Sequence, residues 1–228
     1  MTEARKRRAR DPEATREVIL EAARTLLAKY GPEALSLSEV AHLAGVNRGT
    51  AYQHFETREK LIQATADWVA DKLFHEVFGD SKTVEEREVE QVDVADLSDR
   101  LAAFAMRNPE LCRIWLLQLL SSPEPENDRF WREYQGSLAR FTRTDLAQPG
   151  VDSEVLSVLM LAGAFLWPVW AQSHAKDQDE RENLRHRFAR ECLRISMYGT
   201  IKPEKYPAIA ERLNEDGPPS RPARAAGR

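Results

Sequence analysis

The fold is decided by residues 36–55, which read SLSEVAHLAGVNRGTAYQHF. Ser36 and Glu39 form the pattern of a capping box, in which a serine hydroxyl accepts a hydrogen bond from the backbone N–H three residues later, so a helix begins there. Gly45 ends that helix, because glycine adopts the left-handed conformation without steric cost. Asn47 is a favourable N-cap for a second helix of about two turns. A helix, a short turn that contains glycine and a second helix together predict a helix-turn-helix.

Helical periodicity continues on both sides of this segment. Between residues 18 and 30 the apolar side chains recur at i, i+4 and i+8, which is typical of one buried helix face, and Gly31-Pro32 ends the pattern. Further helices are predicted at 61–73, 97–105, between Pro109 and Pro123, between Pro123 and Pro149, at 152–174 and at 179–200. Because no stretch alternates polar and β-branched residues as a strand would, we expect an all-α fold.

Charge is distributed unevenly along the chain. The 33 Lys and Arg oppose 37 Asp and Glu, and a net charge of -4 over the whole chain argues against a nucleic-acid partner. Residues 1–60 carry a net +2, however, and residues 61–228 carry -6. We predict a flexible basic arm at 1–11 and a flexible tail at 216–228. For the arm, contact with a DNA minor groove, non-specific attraction to phosphates and no defined contact all stay open.

Several positions in and after the turn carry a family resemblance. They are Ala41, Ala44-Gly45-Val46, Gly49-Thr50, Tyr52, His54-Phe55 and Leu61. With the flanking helices, these residues resemble the TetR family of bacterial transcriptional regulators over roughly residues 12–75. The resemblance implies an N-terminal three-helix helix-turn-helix DNA-binding domain at 12–58, with its motif at 36–55. An α-helical ligand-binding and dimerisation domain would follow at 59–215.

The second helix of the motif is expected to enter the major groove. Arg48 and Gln53 lie five positions apart and are able to read guanine and adenine edges, while Thr50 and Tyr52 supply hydroxyls for phosphates. The resemblance assigns contacts to Arg48, Thr50, Tyr52 and His54. The complete set of expected DNA contacts is Ser38, Asn47, Arg48, Gly49, Thr50, Tyr52, Gln53, His54, Arg58 and Lys60. A core position is the alternative for Tyr52, and Phe55 is expected to be a core residue.

The C-terminal half is rich in aromatic residues, some of which we expect to line an apolar ligand cavity. The candidate ligand contacts are Phe104, Trp115, Gln118, Phe141, Phe165 and Trp167. The resembled family senses small molecules in this domain, which implies a small apolar or aromatic effector. Packing of the same side chains into an ordinary core is the alternative.

A homodimer is predicted from residues 155–170, which are apolar nearly all round and so imply a partner helix. With 179–200 they suggest half of an intermolecular four-helix bundle, and the alternative is an internal hairpin of a monomer. The candidate interface residues are Leu159, Trp170, Leu184, Phe188 and Ile195. A dimer would place two recognition helices ~34 to 36 Å apart on a palindromic operator. At 16 residues this apolar stretch falls below the ~20 needed to cross a bilayer, so no membrane partner is expected.

Catalytic chemistry finds no support in the sequence. There is no Gly-rich phosphate loop, no Gly-x-Ser-x-Gly and no His cluster with metal-ligand spacing, so no catalytic residue, metal or cofactor is expected. Cys112 and Cys192 suggest no disulfide framework, and no apolar signal segment follows the basic N-terminus, so a cytoplasmic location is expected. These features favour a ligand-responsive repressor that binds a double-stranded DNA operator. The alternative is an all-α interaction or ligand-binding module without operator binding.

Overall fold

The computed structural model describes residues 11–32, 35–79 and 93–215, with side chains as far as Arg212. Within these residues the helices in chain order are α1 Pro12–Tyr30, α2 Leu37–Leu43, α3 Arg48–His54, α4 Arg58–Phe78, α5 Val94–Arg107, α6 Pro109–Ser121, α7 Arg129–Phe141, α8 Ser153–His174, α9 Gln178–Gly199 and α10 Pro207–Glu215. The described residues contain no strand, only one isolated antiparallel bridge between Ala147 and Ile201. The all-α prediction is therefore confirmed. Of the arm predicted at 1–11, residues 1–10 lie outside the described residues, as does the tail at 216–228, whereas Asp11 is described and caps α1.

Most of these helices begin at a side chain that caps them. The Ser36 hydroxyl accepts a hydrogen bond from the Glu39 backbone N–H at 3.1 Å, as the capping-box pattern predicted. Aspartates cap α1, α5, α7, α8 and α9 at Asp11, Asp93, Asp128, Asp152 and Asp177. Each such cap stabilises its helix by about 1 kcal/mol, because it satisfies backbone N–H groups that have no partner inside the helix. The helix starts are thus fixed locally by the sequence.

Packing divides the chain into two compact units. The first unit comprises Met1–Ala70 and Glu110–Ser122, and the second comprises Asp71–Pro109 and Pro123–Arg228. Helix α4 contributes residues to both units, and α6 lies in the first unit although it follows α5 in sequence. These units are defined by packing alone, so the predicted DNA-binding domain at 12–58 and regulatory domain at 59–215 stay predictions.

The first unit is built around α1, α2 and α3. Helix α2 packs against both α1 and α3. The fully or almost fully buried side chains here include Ile19, Ala23, Leu27, Val40, Ala41, Ala51, Phe55 and Leu61. The small residues Ala41 and Ala51 let the helices of the motif approach closely. The predicted core position of Phe55 is confirmed, and the Arg16 guanidinium lies 5.1 Å from the centre of its ring.

In the second unit, α5 packs against α8 and α9, α7 packs against α8, and α10 packs against α9. A buried cluster joins Ala95, Phe141, Ala147, Leu193, Met197 and Ile201, with Tyr206 and Ile209 packed on it. Two ion pairs fix the C-terminal segment on this cluster: Lys205 with Asp145 at 2.7 Å and Arg212 with Asp99 at 3.2 Å. The C-terminal segment as far as Arg212 is therefore part of the second unit's fold.

Helix α8 agrees with the helix predicted at 152–174 and is longer than the apolar stretch 155–170 inside it. It has 22 residues, because the Asp152 cap and the polar residues after Trp170 extend the helix beyond 155–170. By length and composition alone it could cross a membrane, with a mean hydropathy of 1.7 over 18 residues, of which a third are buried. Several apolar side chains of α8 are thus left exposed in the single chain.

Candidate DNA-binding surface and effector cavity

The turn between α2 and α3 is closed by backbone hydrogen bonds. The Gly45 N–H donates to His42 O at 3.2 Å, and the Val46 N–H donates to Ala41 O at 3.0 Å. Gly45 has φ +64°, a left-handed conformation that residues with a Cβ adopt only at a steric cost. This glycine therefore sets the angle at which α3 leaves α2.

Asn47 fixes the start of α3. Its Oδ1 accepts hydrogen bonds from the Thr50 backbone N–H at 2.8 Å and from the Thr50 hydroxyl at 3.0 Å. A Cβ at position 49 would lie 3.3 Å from that same oxygen, so Gly49 leaves room for the cap. Of the predicted DNA contacts, Asn47 and Thr50 thus have a structural role inside the motif, and Gly49 makes that role possible.

The outer face of α3 carries three exposed side chains, Arg48, Tyr52 and Gln53. Arg48 Nη2 donates to the Tyr52 hydroxyl at 3.4 Å, and its guanidinium lies 5.4 Å from the centre of the tyrosine ring. Because Tyr52 is 40% exposed, its alternative role as a core residue is excluded. Ser38, on α2, is also exposed, and His54 is half-buried. The structure thus presents a polar, partly aromatic surface on the outer face of α3.

Arg58 and Lys60, at the start of α4, both have partners within the protein. Arg58 Nε donates to Leu35 O at 3.1 Å, and its Nη2 donates to Pro32 O. Lys60 pairs with Glu56, and this ammonium holds the pKa of the Glu56 carboxyl below its usual value. Sequence reasoning assigned Arg58 to DNA only, whereas the structure also uses it to hold the segment before α2.

A cavity of about 160 Å³ lies in the second unit. Its apolar wall comes from α4, α5, α7, α8 and the segment just after α9: Phe78, Val94, Leu97, Leu138, Phe141, Leu156, Met160 and Ile201. Its polar lining consists of Ser98, Glu133, Tyr134, Ser137, Arg140, Ser196 and Thr200. A mostly apolar wall with a few polar groups is typical of a small-molecule site.

The polar edge of the cavity is organised by three residues of α7. Glu133 Oε1 accepts hydrogen bonds from Arg140 Nη2 at 2.8 Å and from the Ser137 hydroxyl at 3.1 Å. Ser137 also accepts a hydrogen bond from Arg140 at 3.0 Å. Beside them, burial raises the pKa of the Tyr134 phenol, so this group is neutral at physiological pH. The wall therefore combines one ion pair with neutral hydroxyls.

The helix-turn-helix segment matches a known family. The family model for bacterial regulatory proteins of the tetR family covers residues 19–65, which span α1 to the first part of α4. Residues 19–65 of this chain are therefore similar to the bacterial regulatory proteins of that family.

Individual proteins are similar to this chain over different lengths. The chain is 40% identical over 55 residues to the HTH-type transcriptional repressor Rv3405c of Mycobacterium tuberculosis, a match that covers 24% of this chain and 29% of that protein. A solved gamma-butyrolactone receptor (ArpA-like protein) has a TM-score of 0.59 at 20% identity, over 90% of this chain and 98% of that one. AibR, solved in complex with isovaleryl coenzyme A and operator DNA, has a TM-score of 0.56 at 16% identity, over 77% and 96%. At these identities the solved structures show the fold alone.

The predicted ligand contacts do not come together at this cavity. Phe141 lines it, whereas Trp115 and Gln118 lie on α6 in the first unit. Phe104 and Phe165 are buried and do not line this cavity, and Trp167 stacks on Phe188 with 5.5 Å between ring centres. These residues were predicted from the aromatic content of the C-terminal half, but the cavity wall is mainly aliphatic. The residue spacing on α7 predicts part of that wall better, because positions 133, 134, 137, 138 and 141 share one face of the helix.

The predicted dimer residues also divide into two groups. Leu159, Trp170 and Ile195 are 64%, 45% and 49% exposed, so their side chains are available to a partner. Leu184, on α9, is buried within the single chain, and its backbone carbonyl accepts a hydrogen bond from Trp167 Nε1 at 3.2 Å. Phe188 is half-buried against Trp167. For Leu184 the intramolecular position corrects the expectation of an interface contact.

Proposed function

We propose that this protein is a ligand-responsive transcriptional repressor that binds a palindromic operator as a homodimer. A small apolar or aromatic molecule, bound in the cavity of the second unit, would release it from DNA. The proposal places the protein in the cytoplasm, where operator DNA and effector are both accessible.

The observation that carries the DNA-binding part is the exposed face of α3. Arg48, Tyr52 and Gln53 are solvent-exposed, although the helix that bears them is fixed at both ends by Asn47 and the buried Phe55. A rigid helix with exposed arginine and glutamine is suited to the major groove, because these side chains form paired hydrogen bonds with guanine and adenine. The relative Rv3405c is named a repressor, and AibR was solved with operator DNA, which supports the same role here.

The homodimer is supported by an apolar stripe on α8. Val155, Leu159, Leu166 and Trp170 follow one another at spacings of four, seven and four residues and are 54%, 64%, 49% and 45% exposed. Such spacing places them on one side of a helix. Ile195 and Tyr198 add exposed apolar surface on α9. A contiguous apolar surface of this kind is typical of a protein interface, and in this family a second copy is the expected occupant.

The effector role is supported by the cavity and by the helix that reaches it. Phe78 lines the cavity at the end of α4, and the same helix begins with Arg58, which holds the carbonyls before α2. A ligand that binds one position of this helix more tightly than another would favour that position. The ratio of the two affinities would set how far the population of DNA-binding conformations shifts.

Fluorescence anisotropy with duplexes from the DNA that flanks the protein's own gene tests this function. We expect saturable binding that falls steeply with salt, and a loss of about tenfold or more for Arg48→Ala and Gln53→Ala, the cost of one base contact. Arg143→Ala is the matched control, since Arg143 is an exposed arginine of the second unit. Failure of the native chain to bind any duplex at low salt would leave the all-α interaction module as the better description.

A further inference from the structure

The polar edge of the cavity carries an unused acceptor. Both hydrogen bonds to Glu133, from Arg140 and Ser137, go to the same carboxylate oxygen, Oε1. Among the residues that the structure describes, none donates a hydrogen bond to Glu133 Oε2. The Glu133 side chain is only 19% exposed. A ligand group that donates to this oxygen forms a charge-assisted hydrogen bond with a carboxylate that is already mostly enclosed by protein.

The two charged side chains at this edge, Glu133 and Arg140, differ in how far they are exposed to solvent. Arg140 is 49% exposed, so solvent satisfies its remaining N–H groups, while Glu133 is mostly enclosed. Glu133 and Arg140 are the charged residues among those that line the cavity in the described part of the chain. An anionic ligand would have to place its charge beside the Glu133 carboxylate. A cationic ligand meets the carboxylate directly, with the ring of Tyr134 also in the wall.

The size of the cavity limits the rest of the ligand. A dry apolar cavity of about 150 Å³ holds one benzene ring, and this cavity measures about 160 Å³. One aromatic ring, or an alkyl group of similar volume, therefore fits against Leu97, Leu138 and Met160 without a change of the fold.

We propose that the cavity is selective for a small amphipathic amine, protonated at neutral pH, whose ammonium donates to Glu133 Oε2 while its single ring or short alkyl body fills the apolar end. This proposal rests on the effector site proposed above and names the class of ligand that it takes. The Ser137 hydroxyl, which donates to Oε1, is the positioning group for this carboxylate, whereas the Arg140 guanidinium competes with the ligand's ammonium for it.

Isothermal titration calorimetry of the full chain with three matched probes tests the proposal. The probes are 2-phenylethylamine, 2-phenylethanol and 3-phenylpropionate, which share a phenyl ring and differ in the charge of the head group. We expect the amine to bind at least about tenfold more tightly than the alcohol, as for one hydrogen bond to an ionised group, and the carboxylate to bind most weakly. Equal affinities, or tighter binding of the alcohol or the carboxylate, would overturn the amine proposal and leave the effector site itself standing.

Two variants should shift amine affinity in opposite directions. Glu133→Gln removes the charge and should lower amine affinity about tenfold, while alcohol affinity changes by less than about threefold and so reports that the cavity is intact. Arg140→Met removes the competing cation and should raise amine affinity. An anion site predicts the reverse for both variants and would refute the proposal.

Operator binding measured with and without 2-phenylethylamine separates this proposal from the proposed function. If the amine binds with the expected variant pattern but leaves operator affinity unchanged, the amine site stands and the effector role fails. If no probe binds while operator binding is intact, the amine proposal fails and the DNA-binding function stands.

Discussion

The guanidinium of Arg24 lies 4.2 Å from the centre of the Trp68 ring and so joins α1 to α4 within the first unit. The Arg24 side chain is only 7% exposed and pairs with Glu17 and Glu21 on its own helix. A buried cation over an indole ring is stabilised by the ring's negative face and by two carboxylates at once. This contact holds the helix before the motif against the helix after it.

A double-mutant cycle with Arg24→Met and Trp68→Leu should give a coupling energy of about 1 to 2 kcal/mol in urea unfolding, the range for a desolvated cation and a ring. Methionine and leucine keep most of the apolar volume, so the cycle isolates the cation–ring contact. As a control, the exposed pair Lys29 and Tyr30, with 4.8 Å between the ammonium and the ring centre, should give a smaller coupling of about 0.5 kcal/mol. Equal coupling at both sites would show that burial of Arg24 adds nothing.

Arg58 links the start of α4 to the carbonyls of Leu35 and Pro32, and this predicts a stability effect separate from any DNA effect. Arg58→Ala should lower the free energy of unfolding by about 2 kcal/mol, because two carbonyl groups lose a charged donor. Arg58→Lys keeps the charge but cannot donate to both carbonyls in the same geometry, so it should restore only part of the loss.

The same variants show whether Arg58 also reaches DNA. If it contacts a phosphate, the slope of log affinity against log salt falls by about one for Arg58→Ala. Lys60→Ala is the comparison, since Lys60 pairs with Glu56 at the surface and should leave the free energy of unfolding nearly unchanged. An unaltered salt slope together with a large stability loss would make Arg58 a purely structural residue.

Replacement of Gly45, in the turn of the motif, should lower the stability of the protein. Its φ of +64° makes Gly45→Ala unfavourable by about 1 kcal/mol or more, although nothing within 4 Å would meet the added Cβ. Gly136→Ala on α7 is the control, because its Cβ would be in ordinary contact with Arg140 at 3.8 Å. There alanine should stabilise the helix by roughly 0.5 to 1 kcal/mol. Chemical denaturation of both variants measures the difference, and a neutral Gly45→Ala would contradict the strain argument.

The motif was predictable because its signals are local. Ser36, Gly45 and Asn47 each act on backbone within a few residues, so the sequence alone fixes where α2 and α3 begin and end. The cavity depends instead on residues up to about 120 positions apart, such as Phe78 and Ile201, which meet only through tertiary packing. Periodicity identifies Trp115 as buried, but it cannot tell which of two cores contains the residue. For this reason, of the expected ligand contacts only Phe141 lines this cavity.

The ion pair between Lys205 and Asp145 predicts a dependence of stability on pH. The Lys205 ammonium holds the pKa of the Asp145 carboxyl below its usual value of 3.8. Since the folded state favours the ionised carboxyl, its contribution is complete above the unfolded pKa and is lost as pH falls through the folded pKa.

Asp145→Asn should therefore be less stable than the native chain at pH 6, and the difference should shrink toward zero as pH falls below about 4. Thermal melts at half-unit steps of pH measure that difference directly. Glu211→Gln, which removes an exposed carboxylate of α10, controls for a general effect of lost negative charge. A difference between the native chain and Asp145→Asn that stays constant down to pH 3 would contradict the assignment.

Leu159 is the most exposed apolar side chain of the α8 stripe, at 64%, and it gives the sharpest test of the proposed dimer. Leu159→Glu places a charge where an apolar partner surface is expected, and removing that charge from water costs several kcal/mol. The dimer dissociation constant should therefore rise about 100-fold or more, as measured by sedimentation velocity over a concentration series. Leu117→Glu makes the same chemical change at an exposed leucine of α6 in the first unit and should leave association intact.

The loss of the dimer should also weaken operator binding, because two linked half-sites bind far more tightly than one. The Leu159→Glu protein should therefore bind the full operator more weakly than the native chain does, while the two proteins bind a single half-site equally. A Leu159→Glu protein that remains dimeric would show that the α8 stripe is covered by something other than a second copy.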